Sequence, residues 1–218
     1  MSQKVLVIAP HPDDETLGCG GTLLKHQAQG NEIHWLICTA MDESHSYFKT
    51  REQEIKEVAS LYKFTSVHHL KLKTAQADEY TMSELVSSIS KVINTVKPNI
   101  LYLPFCHDVH SDHRKLFEAA YSCTKTFRYP FIQKIYMMEI LSETEFSTVS
   151  SSPFTPNVFV DITKYMNQKI EIMNVYKSEI QAHPFPRSIE NIQALATLRG
   201  ATAGCQYAES FMLLKEIQ

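Results

Sequence analysis

The sequence predicts an α/β layered fold built on a mostly parallel sheet. Short β-branched runs alternate with amphipathic helical stretches through the first two-thirds of its 218 residues. Several of these runs stop at polar loops, and a hydrophobic fraction of 44% is enough for a sizeable core.

Val5–Ala9 is a β-branched run, read as a central buried strand. Thr16–Gln29 sets Leu17, Leu23 and Leu24 at helical spacing and is closed by Gly30-Asn31. Glu32–Thr39 is the next strand. Lys49–Tyr62 is a helix with Ile55, Val58, Ala59 and Tyr62 on one face. Val67–Leu72 follows as a strand, Ser83–Val96 as an amphipathic helix, and Asn99–Pro104 as a further buried strand. A histidine-rich loop leads to a helix over Lys115–Thr126.

The rhythm then changes. Ile132–Met138 and Asn157–Asp161 are strands, separated by a Ser/Thr/Pro-rich loop over Thr148–Pro156. Helices over Lys164–Gln181 and Ser188–Leu198 follow. The expectation is one domain over residues 1–218, with an α/β core to about residue 128 and a strand/helix cap over 129–218 packed on it.

A net charge of −3 argues against a nucleic-acid partner, which requires a basic surplus to neutralise phosphates. Five dispersed cysteines without a CxxC pair argue against a disulfide scaffold and a thiolate metal site. The apolar run before Pro10 is too short for a signal segment, and no stretch is long enough to span a bilayer. A cytoplasmic location is expected.

Chemistry concentrates at strand ends. In open α/β sheets, sites form beyond the carboxyl ends of the strands at a switch point. His11, Asp13 and Asp14 follow the first strand, Asp42 and Glu43 the second, and His110-Ser111-Asp112-His113 the Asn99–Pro104 strand. His11 and Asp14, three apart on a turn constrained by Pro12, can aim a nitrogen and an oxygen at one metal ion. His113 supplies a third ligand. Three such ligands leave a position open for water, as in a catalytic zinc site. Asp13 then stands beside that water as general base. His110, as an imidazolium held by Asp112, faces the oxyanion.

These segments resemble the PIG-L/LmbE family of zinc-dependent N-deacetylases. The stretch APHPDDETLGCGGT (Ala9–Thr22) matches the family's opening signature, and His110–His113 its H-x-D-H signature, with Ser111 where proline is frequent. Weaker echoes are Thr50–Glu54 and Arg199–Glu209, so the resemblance spans nearly the whole chain. It implies a Rossmann-like fold, with His11, Asp14 and His113 as zinc ligands (ferrous iron suits the same donors) and Asp13 as base. His110, oriented by Asp112, becomes the oxyanion and leaving-group partner. The implied substrate is a small N-acetylated amino sugar, N-acetylglucosamine or a conjugate of it, and similar enzymes often form homo-oligomers.

Other positions carry two readings. Arg51 is a substrate contact by resemblance, or a helix charge paired with Glu54. Asp42 and Glu43 hold sugar hydroxyls, or are solvated loop acids. Gly18, Gly20 and Gly21 let the first helix approach the sheet closely. His183–Arg187 forms a rigid loop able to wall the pocket. Rival functions are an amidase on a non-sugar acylamine, a non-haem iron oxygenase and a non-catalytic metal-binding module. Two histidines and a carboxylate also suit the oxygenase, but that chemistry usually sits on a jelly roll.

Overall fold

The computed structural model describes residues 2–147 and 151–218. Residues 148–150 of the expected loop Thr148–Pro156 therefore lie outside the described residues.

The chain runs β1 (Lys4–Ala9), α1 (Asp14–Ala28), β2 (Glu32–Ala40), α2 (Phe48–Tyr62), β3 (Ser66–Lys73), a short 3-10 turn (Ala77–Glu79) and α3 (Met82–Val96). It continues through β4 (Ile100–Leu103), α4 (Ser111–Ser122), β5 (Lys134–Met138), β6 (Val158–Asp161), α5 (Met166–Met173), α6 (Ile189–Ala203) and β7 (Ala208–Glu216). These form one seven-stranded sheet in the order β3-β2-β1-β4-β5-β7-β6. The first five in that order pair in parallel, while β7 runs antiparallel to both β5 and β6.

Both faces of the sheet are covered. Val5, Val7 and Ala9 of β1 pack on one side with Trp35 and residues of α1, α2, α5 and α6. Leu6 and Ile8 pack on the other with α3 and α4. Burial on two faces is why β1 reads as a continuous apolar run rather than an alternating one. Each of these Val, Leu and Ile side chains contributes about 1.5–3 kcal/mol through burial.

Strand order reverses between β1 and β4. The loops leaving these two neighbours diverge over opposite faces and leave a crevice at the carboxyl edge. Residues about a hundred positions apart meet there.

Three helix boundaries and one strand differ most from expectation. α4 begins at Ser111, not Lys115, because His110 caps it: its Nδ1 accepts from the Asp112 amide at 3.1 Å. His113 therefore lies in a helix, not in a loop. α5 stops at Met173, not Gln181, as the chain turns to bury Tyr176 against Glu15. α6 continues past Leu198 to Ala203, where Gly204 ends it at φ 73°. Strand β7 was not expected at all. Its sequence, AESFMLLKE, has no β-branched residue, and only its place between β5 and β6 makes it a strand.

Candidate metal centre

The switch-point crevice is built from the ends of β1 and β4. Beyond β1 the chain turns at once into α1, and the His11 amide donates to Asp14 Oδ2 at 2.8 Å. Beyond β4, the first turn of α4 delivers the buried His113. His113 Nε2 lies 3.2 Å from Asp14 Oδ2 and 3.3 Å from His11 Nδ1, and the latter two atoms are 3.5 Å apart.

The outward-facing nitrogens define the protons. His11 Nε2 meets Asp112 Oδ2 at 3.0 Å, and His113 Nδ1 meets Asp108 Oδ2 at 2.8 Å. A carboxylate only accepts, so each of these nitrogens carries the hydrogen. When both rings are neutral, two nitrogen lone pairs and one carboxylate oxygen face a common point. A divalent cation satisfies that arrangement, and carboxylates behind ligating histidines are its usual support. Two nitrogens and an oxygen suit zinc or ferrous iron.

The surrounding carboxylates make both rings attract positive charge, whether a proton or a metal cation. Burial opposes charge on Asp14, but His113 and His11 hold its carboxyl far below the usual range. Burial lowers His11, yet the Asp112 and Asp14 carboxylates outweigh it and lift the ring to about 9. A concentrated negative field surrounds both rings.

Asp13 lines the same cavity, which has a volume of about 220 Å³. Its backbone sits at φ 127°, a conformation foreign to most L-residues. Strain of this kind costs about 1–3 kcal/mol and persists only where neighbours enforce it. Glu15 accepts from the Asp13 amide at 3.1 Å, and Arg51 Nη1 donates to the Pro12 carbonyl at 3.0 Å. Burial pushes the Asp13 carboxyl well up, Asp14 and Glu179 push it further, and Arg187 opposes them. Glu15 is itself buried, with Tyr176 and Thr16 hydroxyls donating to it. Burial raises its carboxyl to about 7.

Two expectations about His110 and Asp112 are corrected. The Asp112 carboxylate is 3.9 Å from His110 Nδ1 and instead holds His11 and the amides of Ala75 and Ala77, at 2.7 and 3.0 Å. The His110 ring is oriented by the Asp112 backbone amide, which leaves Nε2 as the protonated nitrogen. Burial and the neighbouring His11 ring keep His110 below its ordinary pKa. Both effects favour the neutral ring, a hydrogen-bond donor, over the expected imidazolium.

Of the remaining residues, Arg51 lines the cavity but is buried, ion-paired to Glu179 and Glu54 and bonded to Ser178. Asp42 and Glu43 are exposed in a neighbouring groove, and Asp42 accepts from the amide and hydroxyl of Ser44. Arg187 of the His183–Arg187 loop does line the cavity. Asp108, Glu143 and Glu179 were missed. Asp108, two residues before His110, was visible in the motif; Glu143 and Glu179 lie in irregular segments without periodicity.

A mostly parallel α/β sheet with a cavity of acids and histidines at its switch point is the architecture of an α/β enzyme. More particularly, the chain belongs to the PIG-L family: the family model described as GlcNAc-PI de-N-acetylase matches residues 6–124. The diacetylchitobiose deacetylase of Thermococcus kodakarensis is 24% identical over 230 residues, covering 99% of this chain and 84% of that protein. In structure, the N,N'-diacetylchitobiose deacetylase from Pyrococcus horikoshii superposes with a TM-score of 0.78 at 23% identity, covering 98% of this chain and 84% of that one. The 4-carboxy-2-hydroxymuconate hydratase of Pseudomonas putida reaches 0.77 at 16% identity, covering 99% and 98%. The fold alone thus hosts more than one reaction.

Among the described residues, no helix is long and apolar enough to cross a membrane.

Proposed function

We propose that the chain is a zinc-dependent hydrolase that removes the acetyl group from an N-acetylglucosamine-type sugar or conjugate. One observation carries this: the facing atoms of His11, Asp14 and His113 converge within 3.5 Å on the cavity that Asp13 and His110 also line. These three residues would hold the metal, with ferrous iron as the alternative occupant. When bound, the metal supplies Lewis acidity, making water more acidic and the amide carbonyl more electrophilic.

The protein groups do the rest. Asp13 accepts a proton from the attacking water. The His110 Nε2–H donates to the carbonyl oxygen as negative charge develops there. Asp13 then returns the proton to nitrogen as the C–N bond breaks, and acetate and a free amine leave. Arg51 and Glu179 brace the wall beside Asp13 and exclude bulk water. The sugar preference follows the diacetylchitobiose deacetylases above, whose names give an N-acetylated amino sugar as substrate.

The test is acetate release from a panel of N-acetylglucosamine conjugates by zinc-loaded protein, beside a His113→Ala control. Release that the control abolishes supports the proposal. Metal binding without release from any conjugate refutes it and favours a non-sugar acylamine or a reaction such as the hydratase's.

A further inference from the structure

α1 is broken near its start. At Cys19 the backbone leaves helical geometry, with φ −148° and ψ 21°. The first turn, which carries Asp14, is thereby freed to take a direction different from that of the segment after it. Such a break orphans carbonyls before it and amides after it.

Two side chains from the far end of the sequence meet those groups. The carboxylate of Glu209 (β7) accepts from the Gly21 amide at 2.8 Å and the Thr22 amide at 2.7 Å. The ammonium of Lys169 (α5) donates to the Leu17 carbonyl at 2.9 Å and to Glu209 at 2.7 Å. Both residues are buried. The anion lies at the amino end of the second segment and the cation at the carboxyl end of the first, where the helix dipole favours each.

A buried ion pair adds little stability over apolar residues of equal volume. Apolar replacements here would strand three backbone groups in the interior, a cost the pair avoids. The first turn is also too short to hold itself. We propose that Lys169 and Glu209 are positioning residues of the metal centre, stabilising the break in α1 and so aiming the turn that carries Asp13 and Asp14. This rests on His11, Asp14 and His113 being the metal ligands.

The test measures zinc affinity of the full chain by competition with a chromogenic chelator, together with thermal unfolding of the metal-free protein. Lys169→Met and Glu209→Gln are each expected to bind zinc about 10–100-fold more weakly, as when support behind a metal ligand is lost. Val92→Ala, in α3 on the opposite face of the sheet, is the control for lost stability alone and should keep its affinity. The reversed pair Lys169→Glu/Glu209→Lys restores opposite charges but sets the cation against amides, so affinity should stay low. Near-normal affinity in both single variants, or recovery in the reversed pair, overturns the proposal. If Glu209→Gln does not fold, Lys169→Met, which keeps the carboxylate on the amides, still decides the matter. Zinc binding that survives His113→Ala sinks the ligand assignment itself, and the proposal with it.

Discussion

His11 Nε2 and the Asp112 carboxylate lie 3.0 Å apart, and this contact decides which face of His11 the cavity sees. With its proton committed to Asp112, the ring presents Nδ1 to Asp14 and His113. The same carboxylate also binds the amides of Ala75 and Ala77, so a loop after β3 is tied to His11.

Asp112→Asn should therefore weaken zinc binding by about 10–100-fold without unfolding the chain. The amide keeps an oxygen for one donor but loses the charge that raises His11 basicity. Chelator competition measures it; unchanged affinity would show that His11 needs no such support.

Asp13→Asn should retain zinc and lose at least about a hundredfold in kcat, the scale of a lost general base. Asparagine tolerates unusual positive φ nearly as well as aspartate, so the strained turn should persist. Metal content and kcat measured on one preparation check this. Normal turnover overturns the base assignment.

Gly20→Ala should destabilise the protein by about 1–3 kcal/mol, the usual scale of overpacking. An added Cβ would lie 2.5 Å from the Tyr62 hydroxyl. Adding Tyr62→Phe removes that clash and should recover part of the loss. Urea denaturation of single and double variants checks this; the absence of any recovery would place the strain elsewhere.

His26 makes stability depend on pH. Burial, then Lys25, lower its ring from 6.5 to about 4, and it bonds as a neutral group to Tyr102 and Asn31. Its contribution is complete above the unfolded pKa and is lost as pH falls from 6.5 toward 4, by an amount of order 2 kcal/mol. Wild-type stability should fall relative to His26→Gln across that window in urea titrations of metal-free protein. Parallel curves would contradict a neutral buried ring.

The α/β alternation, the buried β1 run and the two segments that bring His11 and His113 to the cavity were legible in the sequence, because periodicity and strand-end polarity are local properties. Helix starts were less so: the α4 boundary turned on a histidine serving as cap, a role usually taken by Ser, Thr, Asp or Asn. β7 is a strand against its own composition, since pairing with β5 and β6 overrides propensity.

By itself, then, the sequence determined the alternation of strands and helices and set His11, Asp13, Asp14, His110 and His113 just beyond strand ends. Only the tertiary structure decided that Asp112 serves His11, that Asp108 serves His113, and that Lys169 and Glu209 fill the break in α1. The reason is physical. Periodicity records which face a residue buries, whereas the partner of a buried polar atom depends on which distant segment packing brings within hydrogen-bond reach.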